Sequence, residues 1–435
     1  MLYFILIMWY HVIEKEKDVQ YMNICVIGLG YIGLPTAAMF AAHGHQVLGV
    51  DKNADIVNAL NQGNVIIEET GLEDFVKQVV NSGRLKASTV LQPADVFIIS
   101  VPTPITADKK ADMSYVEAAT RETVPYLREG NLVVLESTSP VGTVDELMAP
   151  ILAESGLEIG SQLYLGHSPE RVIPGQILYE LVHNSRIAGG INRESAQRIA
   201  DLYKCFVEGD IFPTDSRTAE LAKLTENTFR DVNIALANEL AKICENLGIN
   251  VWELIELCNK HPRVNIHQPG PGVGGHCIAV DPWFIVEKQP ETALLIHQAR
   301  LINDSMPGYV LQRIQELLTG IEKPKVAVLG VTYKPDVDDI RESPVLKLVQ
   351  MLNDKGIETA IHDPFAKGCD NGLEDAARDA DLLLLGVHHK QYKDLPAERL
   401  AQIMRHPVLL DTRNFADVTA FAKAGFSCHL LGMRD

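Results

Sequence analysis

The stretch Asn23-Ile-Cys-Val-Ile-Gly28-Leu-Gly30-Tyr-Ile-Gly33 constrains the fold more than any other part of the chain. A short apolar run reads as a buried strand and ends in Gly-x-Gly-x-x-Gly. Leu34-Pro-Thr-Ala-Ala-Met-Phe-Ala-Ala42 then reads as a helix, with Pro35 tolerated in its first turn. Gln46-Val-Leu-Gly-Val-Asp51 reads as a second strand closed by an acid. Strand, glycine turn, helix, strand and acid in that order form the dinucleotide fingerprint of a βαβ unit. Gly28 makes the turn, Gly30 lets a pyrophosphate approach the backbone, and Gly33 packs helix on strand. The free N–H groups of the helix N-terminus face the phosphates. Asp51 accepts from ribose hydroxyls and repels a 2′-phosphate, so NAD is expected rather than NADP.

Strand and helix patterns alternate from Asn23 to about Pro213. Asp95–Val101, Asn131–Glu136, Leu163–Gly166 and Ser185–Gly189 read as strands, and Met113–Leu127 and Arg193–Phe206 as helices. Short buried strands alternating with helices predict a parallel, doubly wound sheet. From Asp215 to about Gly248 the pattern becomes helical with no Gly or Pro inside it. Asp215 or Ser216 can cap that helix and Gly248 can end it. At 1.5 Å per residue it spans about 50 Å, long enough for a spine between domains and a dimer element. A third pattern starts at Lys325-Val-Ala-Val-Leu-Gly330 and continues through Thr359–His362, Asp381–Gly386 and Pro407–Asp411. It resembles a second Rossmann half, but Gly330-Val-Thr-Tyr-Lys-Pro335 stands where the glycine fingerprint belongs. A second dinucleotide is not expected there. Lys334 and Arg341 point instead to another phosphate-bearing ligand, or to a solvated charged turn.

The most informative stretch for chemistry is Gly270-Pro-Gly-Val-Gly-Gly-His-Cys277-Ile-Ala-Val-Asp281-Pro-Trp283. Its glycines let the backbone approach a ligand and leave Cys277 bare. Cys25, inside an apolar run, is the contrasting structural case. Cys277 therefore reads as a usable thiol, with a tight surface turn holding an incidental cysteine as the alternative.

With 435 residues the chain is long enough for two or three domains, and its net charge of −18 argues against a nucleic-acid surface. Its seven cysteines show no CxxC pair, which fits neither a zinc site nor a disulfide framework. No metal is expected, and reduced thiols point to the cytoplasm. Met1–Ile13 is apolar but too short to span a bilayer and lacks the pattern of a secretory signal. Residues 1–21 read as an extension whose deletion should leave activity intact, with a membrane or partner contact as the alternative.

Taken together, Gly28–Gly33 with Leu34-Pro35, Val101-Pro-Thr-Pro104, Glu136-Ser-Thr-Ser-Pro-Val-Gly142, Ser168-Pro-Glu-Arg-Val-Ile-Pro-Gly175, Glu220-Leu-Ala-Lys223-Leu-Thr-Glu-Asn227, His261-Pro-Arg-Val-Asn265 and the cysteine loop resemble the UDP-glucose/GDP-mannose dehydrogenase superfamily. The resemblance runs from about Met22 to the C-terminus. It implies an α/β fold of two Rossmann-like doubly wound domains joined by a long central helix and a small helical domain. The implied boundaries are 22–213 for NAD binding, 214–320 for the central part with the cysteine loop, and 321–435 for UDP-sugar binding. A homodimer or higher homo-oligomer is implied, with no membrane span. Pro169-Glu-Arg-Val172 and Cys277-Ile-Ala-Val-Asp281 depart from the glucose branch, so a UDP-N-acetylhexosamine, first UDP-N-acetyl-D-mannosamine, is the implied substrate.

The family reaction takes the sugar C6 alcohol to a carboxylate with two NAD and one water. It implies Cys277 as the nucleophile that forms a thiohemiacetal and then a thioester. Lys223 and Asn227, one helical turn apart, donate to the oxyanion at C6, and Lys223 moves protons. An ordinary solvated pair on the helix is the alternative for these two. Asp281 orients or activates water, Glu170 serves thioester hydrolysis, and Thr138 holds the water. Tyr31, Ile32, Asp51, Thr103 and Thr138 match the family's NAD contacts. Arg171, Val172, Arg230, His261, Arg263, Gly274, Tyr333, Lys334, Arg341 and Arg413, with Lys223 and Asn227, match its substrate contacts. Arg263 is expected to reach across a dimer interface. Arg413 stands where relatives tend to carry lysine, which keeps the charge but not the geometry. UDP-glucose or UDP-N-acetylglucosamine oxidation is the alternative within enzymes. A simple two-electron dehydrogenase and a nucleotide-sugar sensor on the same fold are the others.

Overall fold

The computed structural model describes residues 21–67, 69–173, 175–369 and 371–434. The expected extension, residues 1–21, lies outside them apart from Tyr21. The chain forms two compact units, the first ending at Leu224 and the second starting at Thr225. The division falls inside one helix, Ser216–Leu247.

The first unit carries an eight-stranded sheet. Its strands are β1 (Asn23–Ile27), β2 (Gln46–Val50), β3 (Leu85–Ser88), β4 (Val96–Ile99), β5 (Leu132–Leu135), β6 (Tyr164–His167), β7 (Arg186–Gly190) and β8 (Ile211–Asp215). Their spatial order is β3-β2-β1-β4-β5-β6-β7-β8. Alternate residues of β1 face opposite ways, and both sets are buried. Ile24 and Val26 pack against Ala37, Ala38 and Phe40 of the helix Gly33–Ala42. Cys25 and Ile27 pack on the other face with Phe97, Ile99 and Val116. Burial on both faces explains why these strands read as continuous apolar runs. It also pushes the Cys25 thiol up to about 12, so this sulfur is packing and not chemistry. The order reverses between β1 and β4, which opens the ligand crevice at their carboxyl ends.

One expectation needs correction. The sheet is parallel except between β6 and β7, which pair antiparallel. That ladder runs through Gly166, Gly189 and Gly190, and a Cβ at Gly166 would sit 2.0 Å from the Gly189 carbonyl. Only glycine admits so close a crossing. Strands β3 and β8 lie at the two edges, where polar residues hide the apolar signal.

The helix Ser216–Leu247 runs 32 residues, about 48 Å. Asp215 caps it, accepting from the Thr218 amide at 2.9 Å and the Thr218 hydroxyl at 2.6 Å. Gly248, at φ +69°, ends it.

The second unit adds the helices Val251–Cys258, Asp281–Lys288 and Leu294–Leu317, then a five-stranded parallel sheet. Strands β9 (Lys325–Leu329), β10 (Glu358–His362), β11 (Leu382–Leu385), β12 (Val408–Asp411) and β13 (Ser427–Leu430) lie in the order β10-β9-β11-β12-β13. The helical and sheet parts of this unit are tied together. Trp252 Nε1 donates to the Leu431 carbonyl at 2.9 Å, and Gly432 lies against Val251. Among the described residues no helix is long and apolar enough to cross a membrane.

Candidate active site

In the first unit, the turn after β1 is shaped by what its glycines exclude. A Cβ at Gly28 would sit 2.3 Å from the Ser100 carbonyl, and one at Gly33 would sit 1.9 Å from the Gly28 carbonyl. A Cβ at Gly30 would meet nothing within 4 Å. Two glycines therefore serve packing, and the third keeps open space above exposed backbone. Asp51 accepts from the Leu29 and Asn53 amides, both at 2.9 Å. A carboxylate has about four acceptor sites, so capacity remains for ribose hydroxyls. The helix Gly33–Ala42 starts at this turn with no side-chain cap. Open backbone, a free helix start and a spare carboxylate fit a dinucleotide, with Tyr31 and Ile32 on the same turn. Thr103 is buried after β4, and Thr138 is half-buried after β5.

The β5 loop is clamped from two sides. Ser137 Oγ donates to the Val101 carbonyl at 2.7 Å. Glu220, on the long helix, accepts from the amides of Gly142 at 2.5 Å and Val144 at 2.9 Å. Burial pushes Glu220 up to about 7, and those amides oppose the shift. Lys223 lies one turn further along, 8% exposed. Among the described residues it makes no ion pair, and a buried amine with no counter-ion is left to meet a ligand. Burial, with a smaller push from Lys223, holds His167 down near 3, so that ring is neutral. Glu170 accepts from the Arg171 amide at 2.7 Å and from the buried Arg186 guanidinium, and Val172 is half-buried beside them.

In the second unit, the cysteine loop is anchored by a buried chain of polar groups. The Gly270 amide donates to Asn238 Oδ1 at 2.9 Å, and Asn238 Nδ2 donates to Asn303 Oδ1 at 2.8 Å. Asn303 Nδ2 donates to Asp231 Oδ1 at 2.8 Å, and Arg300 closes the chain on the same oxygen at 2.5 Å. Further on, the Gly275 amide donates to the Arg341 carbonyl at 3.0 Å. A Cβ at Gly274 would lie 2.7 Å from the Glu342 carbonyl, and one at Gly275 would lie 2.8 Å from the Tyr333 ring. The glycines thus press the loop onto residues 333–342.

Cys277 emerges from that loop exposed. Its carbonyl accepts from the Val280 and Asp281 amides at 3.1 and 2.9 Å, so it opens the turn leading into the helix Asp281–Lys288. The amide dipoles at such a helix start favour negative charge. Asp281 is 3% exposed and accepts from Asn227 Nδ2 at 2.5 Å. Arg230 donates to Asn227 Oδ1. Asn227 is gripped at both ends of its amide, with one N–H left over. Part of Asp281's capacity therefore goes to orienting Asn227, which its position in the sequence did not reveal.

The expected phosphate contacts divide by environment. Arg413 is half-buried, donates from Nε to the Gly386 carbonyl at 3.1 Å, and lies against Gly270. Burial pushes it down to about 10. Arg341 is exposed and paired with Asp339 at 2.6 Å, and Lys334 is half-buried. His261 and Arg263 are exposed on the loop after Val251–Cys258. Asp363 follows β10 as Asp51 follows β2, but it is fully buried. It accepts from the amides of Val331, Thr332, Phe365 and Ala366 and from His389 Nε2. That carboxylate is saturated, so it has no acceptor site left for a ribose hydroxyl.

Sequence reasoning passed over Arg186, Asn238 and the Asp231–Arg300 pair. A charged residue inside the apolar β7 run was the one available signal for Arg186.

Comparison with known proteins agrees with this geometry. Residues 22–207 match the NAD binding domain of the UDP-glucose/GDP-mannose dehydrogenase family, residues 217–305 its central domain, and residues 327–418 its UDP binding domain. A UDP-N-acetyl-D-mannosamine dehydrogenase of Methanococcus maripaludis is 46% identical over 96% of this chain and 99% of its own length. An NDP-N-acetyl-D-galactosaminuronic acid dehydrogenase of Ralstonia nicotianae is also 46% identical, over 92% of this chain and 97% of its own. The solved UDP-D-ManNAc dehydrogenase of Pyrococcus horikoshii superposes with a TM-score of 0.90 at 42% identity, covering 94% of this chain and 99% of that one.

Proposed function

The chain belongs to the UDP-glucose/GDP-mannose dehydrogenase family, and from that premise we propose that it oxidises C6 of UDP-N-acetyl-D-mannosamine to the carboxylate in two steps through Cys277. The carrying observation is an exposed cysteine in a pinned glycine loop, one turn before a buried Asp281 that orients Asn227. A sensor needs no such nucleophile.

NAD would be held at Gly28–Gly33, Asp51 and Thr103, and it would supply the acceptor for the hydride lost from C6 in each oxidation. The residues do the rest. Lys223 takes the C6 hydroxyl proton, and its ammonium then meets the carbonyl oxygen together with the spare Asn227 N–H. The Cys277 sulfur adds to the aldehyde carbon, giving a hydroxyl-bearing thiohemiacetal that can lose a second hydride. The resulting thioester carbon is attacked by water, with Thr138 and Glu170 on the water and Asp281 keeping Asn227 on the oxyanion. The C6–S bond breaks, and the sulfur leaves as thiolate. Overall, one alcohol, two NAD and one water yield one carboxylate, two NADH and three protons. Arg171, Val172, Arg230, His261, Arg263, Gly274, Tyr333, Lys334, Arg341 and Arg413 are read as substrate contacts, and arginine forks suit a pyrophosphate.

A homodimer accompanies this reading. Phe229, Leu236 and Ile243 are 63%, 46% and 45% exposed and lie seven residues apart on the long helix, an apolar stripe that a second copy would cover. Arg263, exposed on the loop after Val251–Cys258, then serves the partner's site. All seven cysteines are thiols, which supports a cytoplasmic setting.

A panel of UDP-N-acetylmannosamine, UDP-N-acetylgalactosamine, UDP-N-acetylglucosamine and UDP-glucose, followed by NADH release, tests the assignment. The expected result is the highest kcat/KM for the mannosamine sugar at two NADH per sugar. Preference for the galactosamine sugar would favour the Ralstonia-type reading, and a one-to-one ratio would exclude the two-step route. Cys277→Ser should stop at the aldehyde, so full conversion to the acid by that variant removes the covalent step.

A further inference from the structure

Arg186 is a lone cation on the apolar strand β7, and its side chain is 4% exposed. Its guanidinium lies 3.9 Å from the centre of the Tyr203 ring. One nitrogen donates to Glu136 Oε1 and to Ser168 Oγ, both at 3.3 Å, and the other donates to Glu170 Oε2. Tyr203 donates its hydroxyl to the same Glu136 oxygen at 2.6 Å. Glu136 is the inner carboxyl, fully buried, and its second oxygen has no partner among the described residues. Glu170 is the outer one, early in the loop after β6, with its side chain 7% exposed. A single fork thus holds two carboxyl groups, one fully buried and one nearly so.

Such a cluster is a poor stabiliser by itself, because two acids compete for one desolvated cation. Replacing such a buried cluster by apolar residues of similar volume is often neutral or stabilising. What the cluster does well is fix direction: a planar fork, stacked on a ring, sets the plane and rotation of the carboxylate it grips. Burial pushes Glu136 up to about 7, with Arg186 opposing the shift.

We propose that Arg186, backed by Tyr203 and Glu136, is a positioning residue that fixes the Glu170 carboxylate for hydrolysis of the acyl intermediate. The proposal rests on Glu170 being the hydrolytic carboxylate. In that step the water oxygen bonds to C6, and one water proton passes to Glu170. The tetrahedral oxyanion collapses, the C6–S bond breaks, and its electron pair returns to the Cys277 sulfur. Nothing is oxidised or reduced, so both hydrides have already left before Arg186 matters. A misplaced base of this kind costs on the order of 100-fold.

Rapid mixing with NAD and UDP-N-acetyl-D-mannosamine separates the steps. Arg186→Gln should release close to two NADH per site in a fast burst. It should then turn over about 100-fold more slowly, with the sugar-nucleotide acyl group on Cys277 in the intact mass. Arg186→Lys should recover part of the steady rate. Tyr203→Phe, which keeps the ring but removes the hydroxyl, should show the same partition more weakly and serves if Arg186→Gln does not fold. Burst and steady rate falling together, with no acyl mass in any folded variant of Arg186 or Tyr203, would overturn the positioning role. Glu170→Gln separates the two failures. If it accumulates no acyl enzyme, the reading of Glu170 is what fails; if it does and the Arg186 variants do not, only the positioning role is lost.

Discussion

Replacing Gly30 and Gly33 separately by alanine should divide ligand binding from folding within one turn. At Gly33 the new methyl would sit 1.9 Å from the Gly28 carbonyl oxygen. An ordinary contact is about 3.4 Å, so the helix or the turn must move by more than an ångström. The obstacle is backbone, not a flexible side chain, so the expense is that of overpacking, about 1–3 kcal/mol. Gly33→Ala should lose about 2 kcal/mol in urea unfolding, or roughly 5 °C in Tm for a unit of this size. At Gly30 the methyl meets no protein atom within 4 Å. Gly30→Ala should therefore unfold within about 0.5 kcal/mol of the parent. It should bind NAD about 10- to 100-fold more weakly, since the methyl displaces a phosphate from amides that each contribute about 1.5–3 kcal/mol to a charged acceptor. Calorimetric titration with NAD and urea unfolding on the same samples measure both. A Gly30→Ala protein that is stable and binds NAD normally would refute the reading of this turn. A Gly33→Ala protein as stable as the parent would refute the packing argument.

Three further outcomes follow from the structure. Asn238→Ala removes the acceptor of the buried Gly270 amide and a donor to Asn303. Denaturant unfolding should show a loss of about 1–3 kcal/mol per group left unpaired, with lower kcat because the cysteine loop loses its anchor. His167, held near 3 in the folded state against an ordinary value of 6.5, contributes stability that is present above pH 6.5 and lost as pH falls towards 3. Stability should drop by about 1.4 kcal/mol per pH unit from this group, and His167→Leu should be flatter over that window in urea titrations. Leu236→Lys with Phe229→Lys puts two ammonium groups on the exposed stripe of the long helix. On the proposed homodimer, light scattering should then report a monomer, with activity that neither added NAD nor added sugar nucleotide restores.

Much of this protein is written in short-range pattern. The run from Asn23 to Gly33 announces strand, turn and helix within eleven residues, because each step depends on neighbours only. The long helix is legible from Asp215 to Gly248 for the same reason: its cap bond is local, and its end needs a residue tolerant of positive φ. The exposure of Cys277 follows from the glycines around it.

Other features depend on partners far away in the chain, and local pattern carries no record of them. The antiparallel crossing of β6 and β7 depends on Gly166 meeting Gly189 and Gly190. Asn227 and Asp281 are 54 residues apart, and only folding of the second unit brings a carboxylate oxygen to that amide. Arg186, Glu136 and Tyr203 lie in three separate stretches of chain, and only the charge on β7 hints that Arg186 has partners. A period of two or four residues is a property of the chain. A desolvated ion pair exists only where packing expels water around groups that the chain holds apart, so the sequence determined the scaffold and the exposed cysteine, and the tertiary structure decided which charges face each other.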